Sequence, residues 1–92
     1  DLINFQWGEA LMKARDFSGA IERYKAVLSW PSSQPDLVSL SHLHSGEALD
    51  AQGRREAAQA EYREVIKRPN VFDSHDEAKE YLSAPYKPGQ QS

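Results

Sequence analysis

The chain has no cysteine and a single methionine. It also has no apolar run near the roughly 20 residues that cross a bilayer. Without cysteine there is no disulfide framework, no thiolate zinc site and no thiol nucleophile, and any redox compartment is tolerated. No secretory leader is visible. One-sided charge is missing too: 11 Lys and Arg stand against 14 Asp and Glu, a net charge of −3. That balance argues against nucleic acid or an anionic membrane as the main partner. Catalytic signatures are equally scarce. There is no G-x-S-x-G elbow, no Gly-rich phosphate loop and no D-x-D-x-D-G calcium loop. The histidines are His42, His44 and His75; the first two, two apart on a helix, point about 200° from each other and cannot share a metal. The expectation is a non-enzymatic chain with no cofactor and no metal.

What is present is globular. Ninety-two residues with 39% apolar and 27% charged of both signs make one small domain, or a piece of a larger protein. The chain starts at Asp1 and its methionine is Met12, so a fragment, the C-terminal portion of a longer protein, is expected. Nothing names a compartment; the cytoplasm is the default.

An internal repeat organises the sequence. Shifting the chain by 38 residues aligns 8–31 with 46–69 and matches Gly8/Gly46, Glu9/Glu47, Ala10/Ala48, Leu11/Leu49, Ala20/Ala58, Tyr24/Tyr62, Val27/Val65 and Pro31/Pro69. Lys25/Arg63 and Leu28/Ile66 are close in chemistry. Chance gives roughly one or two identities over such a window.

Each copy reads as two helices. In the first, Ile3, Trp7, Ala10, Leu11 and Ala14 share one face, and Leu2, Phe5 and Met12 form a second apolar stripe. Asp16 is the expected N-cap of the next helix, which turns Phe17, Ala20, Ile21, Tyr24, Val27 and Leu28 inward and stops at Trp30-Pro31. The second copy begins near Pro35-Asp36, passes Gly53 at a helix C-terminus, and carries Ala58, Tyr62, Val65 and Ile66 inward as far as Pro69. Ser74-x-x-Glu77 is the spacing of a capping box for a fifth helix with Ala78, Tyr81 and Leu82 inside. The tail 85–92 has no core pattern and is expected to be extended or mobile. Its Pro85-x-x-Pro88 has polyproline-ligand spacing without a flanking arginine. No stretch alternates as a strand does.

Trp7-Gly8-x-x-Leu11, Ala20-x3-Tyr24 and Pro31, then Gly46-x-x-Leu49, Ala58-x3-Tyr62 and Pro69, resemble the tetratricopeptide repeat, a helix–turn–helix unit with the pattern W-x2-L-G-x2-Y…A-x3-F…P. The resemblance implies an all-α fold of stacked antiparallel hairpins with a right-handed superhelical twist and a capping helix. On that reading the domain is 1–84, with repeat 1 at about 1–34, repeat 2 at about 35–72 and the cap at about 74–84. His42 and Ser45 depart from the pattern, and Arg55 stands where the first copy has Phe17, so the second repeat is expected to pack less well. The offset exceeds the family's 34-residue period by four, which places an extra turn at the start of the third helix.

The resemblance also implies a protein-binding or scaffolding role on the inner faces of the first helices. The matching positions are Leu2, Phe5, Glu9, Met12, Lys13, Leu40, Leu43, His44, Glu47 and Asp50. Family members that grip a C-terminal carboxylate use a lysine and an asparagine where this chain has Phe5 and Glu9, and an asparagine at His44. The clamp is missing, and Glu9, Glu47 and Asp50 would repel a carboxylate. A neutral or basic apolar peptide or helix is the expected ligand. The alternatives are a homo-oligomerisation module, in which Leu2, Phe5, Leu40 and Leu43 pack on a second chain, and a docking appendage of an upstream enzyme.

Overall fold

The computed structural model describes residues 1–88. It is all-helical, with α1 (Leu2–Lys13), α2 (Phe17–Ser29), α3 (Pro35–Ala51), α4 (Arg55–Ile66) and α5 (Ser74–Ser83) and, among the described residues, no strand. Each helix packs on the next in the chain, and α3 also touches both α1 and α5.

Local chemistry sets the helix ends. Asp1 accepts the Leu2 amide on one carboxylate oxygen at 2.6 Å and the Gln34 amide on the other at 3.0 Å, tying the start of α1 to the α2–α3 loop. Asp16 caps α2 through the Gly19 amide at 3.1 Å. Pro35 opens α3 at its first turn, where a missing N–H costs nothing. Shifted by 38, α1 falls on 40–51, so the extra length of α3 lies at its start. There Leu37 packs onto the first hairpin.

Both hairpins turn in the same way. Arg15 donates to the Met12 carbonyl and Asp16 to Leu11, while Gly53 donates to Asp50 and Arg54 to Leu49, the paired bonds of a Schellman ending. Gly53 takes φ 77° as such an ending requires; Arg15 takes φ 62° without the freedom of glycine. A polar tie between helices is repeated as well. Asn4 accepts from Arg23 at 3.3 Å in the first hairpin, and the corresponding His42 and Glu61 meet at 2.8 Å in the second.

The contact that sets the closeness of each hairpin joins a glycine to a tyrosine. A Cβ added at Gly8 would lie 2.6 Å from Tyr24 Cε1, and one at Gly46 would collide with the Tyr62 ring. Ala20 and Ala58 are fully buried, and the nearest atoms to each glycine's added Cβ belong to the tyrosine ring.

Two apolar clusters result. Phe5, Ala20, Tyr24 and Val27 fill the first hairpin. Ile21, Leu43, Ala48, Leu49, Ala58, Tyr62, Val65, Ala78 and Tyr81 form the larger one, and Met12 and Leu40 touch both. The second repeat is therefore well packed, against expectation. α5 roofs it, and Arg55, in place of an apolar residue, donates to Asp50 and to the Leu82 carbonyl at 3.0 Å.

Two further expectations change. The Ser74 capping box does not form; Asn70 Oδ1 instead accepts the His75 amide at 3.0 Å and the Ser74 hydroxyl at 3.4 Å, while Asp73 precedes the helix at φ 60°. Of the tail 85–92, Tyr86 is docked on the core, its ring edge-on to Tyr81 at 5.4 Å and its amide donating to Asp50 at 3.0 Å. Residues 89–92 lie outside the described residues.

Gly46→Ala should destabilise the protein by roughly 1–3 kcal/mol, because the added methyl must push the Tyr62 ring out of a filled core. Urea unfolding measures it. An unchanged midpoint would show that the ring does not need the glycine.

Candidate functional site

A cavity of about 380 Å³ opens at the turn end of the first hairpin. Glu9, Met12 and Lys13 come from α1, Arg15 from the turn, Tyr24 from α2, His44 and Glu47 from α3, and Tyr86 and Pro88 from the C-terminal segment. Its position follows from the glycine nest. Tyr24 packs its ring on Gly8 and borders the cavity from α2. Phe5 and His44 flank its ring at centroid distances of 5.9 and 5.8 Å.

Charges of both signs line it, Glu9 and Glu47 with Lys13 and Arg15. Burial pushes the Tyr24 hydroxyl far above the usual phenol range, and the charges of Glu9 and Glu47 add to it. Tyr24 is 0% exposed, and its hydroxyl has no hydrogen-bond partner. Glu47 is buried and is bonded by His44 Nδ1 at 2.8 Å. Burial also raises the Tyr86 hydroxyl, and Glu47 raises it further against the opposing effect of Arg15.

The corresponding place in the second hairpin is already filled. Asp50, whose side chain is 1% exposed, accepts from Tyr62 OH at 2.7 Å, from Arg55 Nη1 at 3.1 Å and from the Tyr86 amide at 3.0 Å. The Arg55 guanidinium matches the charge of this buried carboxylate.

Of the residues expected from the sequence, Glu9, Met12, Lys13, His44 and Glu47 are brought together on this cavity. The others are not. Phe5 and Leu43 are buried inside the chain's own clusters and Leu40 lies between them, so Phe5 and Leu43 are not free to pack on a second chain. Asp50 is consumed by Arg55 and Tyr62 and does not contribute to repelling a carboxylate. Leu2 is exposed, at the first turn of α1. Sequence reasoning missed Arg15, Tyr24, Tyr86 and Pro88. A signal for Tyr24 existed: shifted by 38, Asp50 and Arg55 fall on Met12 and Phe17, which gives its hydroxyl no partner of the kind Tyr62 has.

Among the described residues, no group of three or more His, Asp or Glu is placed to hold a metal ion, and no helix is long and apolar enough to cross a membrane. No family model, curated protein or solved structure matches the chain.

Burial disfavours the charged His44 imidazole, but the bond to Glu47 and the charges of Glu47, Glu9 and Glu77 outweigh it and raise its pKa. The Glu77 carboxyl is raised too, by burial and then by Glu47. Both groups hold protons more tightly when folded. Their stabilisation is complete below the unfolded values, about 6.5 for His and 4.3 for Glu, and is lost as pH rises through the folded ones. The urea midpoint should fall as pH rises above about 6.5, and His44→Gln should flatten that slope. An imidazole titration by NMR centred at or below the unfolded value would contradict the arrangement.

Proposed function

We propose that this chain is a protein-interaction module built from two tetratricopeptide-type hairpins, stacked with the right-handed twist of that family and closed by α5. Its role is to hold a neutral or basic apolar segment of a partner polypeptide along the face shared by α1 and α3, without catalysis. The observation that carries this reading is the cavity beside Tyr24, where Met12 offers apolar contact and Glu9, Glu47, Lys13 and Arg15 offer polar contact. A concave site with few convergent polar groups in an apolar wall is the usual form of a binding pocket.

Labelled synthetic peptides of one length, graded from acidic to basic at constant apolar content, test the reading by fluorescence anisotropy. Basic and neutral apolar peptides should bind saturably and acidic ones should not. Glu9→Lys, a change at an exposed position, should weaken the basic peptides by about tenfold. Equal, unsaturable responses across the series would end the proposal.

A second reading, self-association, draws on a different face. Ile3 and Trp7 are 78% and 53% exposed. Shifted by 38 they fall on Ser41 and Ser45, which are buried where α3 packs on α2. By the logic of the repeat, the Ile3–Trp7 face is where a further helix lies, and a second copy can supply it. Light scattering should then show concentration-dependent dimers that Trp7→Glu abolishes. A wild-type chain that stays monomeric at high concentration rules this reading out.

A further inference from the structure

Four residues at α1 form an uncovered apolar seam. Ile3, Trp7, Ala10 and Ala14 are all exposed, and they follow one another at four, three and four residues, the spacing of a heptad seam. At about 100° per residue they fall within about 60° of arc, on the side of the helix opposite Phe5 and Gly8, its buried residues. The repeat marks this as a packing side. Shifted by 38, Ile3, Trp7 and Ala10 fall on Ser41, Ser45 and Ala48, all buried in α3, which packs on α2. Where α3 has two serines, α1 has isoleucine and tryptophan. The cover of α1 must therefore offer small residues opposite two large ones. The Arg23 guanidinium lies over the Trp7 ring at 4.4 Å from its centroid and steadies it from one side.

We infer that the seam is covered by the same seam of a second copy, the two α1 helices running antiparallel about a two-fold axis at the level between Gly8 and Glu9. In that register Ile3 meets Ala14 of the other copy and Trp7 meets its Ala10, so every large side chain lies on a small one. A parallel pairing sets Ile3 on Ile3 and Trp7 on Trp7, and leaves alanine facing alanine across a gap. Head-to-tail stacking of copies is closed off at the other side of the molecule. There α5 packs on α4 as α3 packs on α2, with Tyr81 beside Tyr62 at 5.5 Å where His44 lies beside Tyr24 at 5.8 Å. A two-fold contact pairs one patch with itself and stops at two copies. The inference rests on the self-association reading and adds the surface, direction and register of the pair.

Sedimentation velocity between about 10 µM and about 1 mM should show monomer and dimer and nothing larger. Ala10→Leu adds apolar surface at an exposed site, yet it should weaken the dimer by about tenfold or more, because the added bulk meets Trp7 of the other copy. The chain has no cysteine, so introduced thiols report the register directly. Mild oxidation of an equimolar mixture of Ile3→Cys and Ala14→Cys chains should give the mixed covalent dimer. Ile3→Cys alone should cross-link far more slowly, since its two sites stand about 16 Å apart along the helices, against the roughly 7 Å that a disulfide spans. All three positions are exposed, and circular dichroism checks that each variant folds. A chain that stays monomeric throughout ends the self-association reading and this inference with it. Growth beyond two copies, a tighter dimer with Ala10→Leu, or cross-linking of Ile3→Cys alone as fast as the mixture overturns the pairing and leaves self-association standing.

Discussion

A tyrosine ring laid where glycine has no side chain is the contact on which the other features of each hairpin depend. Gly8 and Gly46 leave a hollow in the first helix, and Tyr24 and Tyr62 from the second helix fill it. No other residue type permits that approach, because a single methyl already overlaps the ring. The nest brings in a polar problem along with the packing. A tyrosine deep enough to lie on the glycine has its hydroxyl inside the protein, where it needs a partner. Both hairpins inherit that requirement at the same place.

They answer it differently. The second hairpin satisfies its hydroxyl internally, with Asp50 as acceptor and Arg55 to balance the charge. That network also holds the C-terminal segment through the Tyr86 amide and α5 through the Leu82 carbonyl. The first hairpin leaves its hydroxyl unsatisfied, at a cost of about 1–3 kcal/mol for a buried polar group.

Much of the architecture was legible because it is local or periodic. The offset between Gly8 and Gly46, the Asp16 cap, the Gly53 ending and the early start of α3 at Pro35 all follow from spacing along a single helix or turn. What was illegible depends on side chains that meet across elements. Asn70 displaces Ser74 as the cap of α5 because the loop folds back over the helix start, which no capping-box spacing records. Arg55 looked like a packing defect only while its partners, Asp50 and Leu82, were unknown. The cavity was half legible. The repeat resemblance implied Glu9, Met12, Lys13, His44 and Glu47, but its pattern reads Tyr24 as core and the tail holding Tyr86 as unpacked, whereas each is both a packed ring and part of the wall.

Glu47 connects the two halves of the molecule electrostatically. Its carboxylate acts on Tyr24 in the first hairpin, on Tyr62 in the second, on Glu77 in α5 and on Tyr86 beyond it, and it takes the hydrogen bond of His44. α3 is the helix that touches both α1 and α5, and Glu47 lies about one turn before its C-terminal end. The glycine at position 8 admits the Tyr24 ring, and Tyr24 and Glu47 both border the cavity beside it.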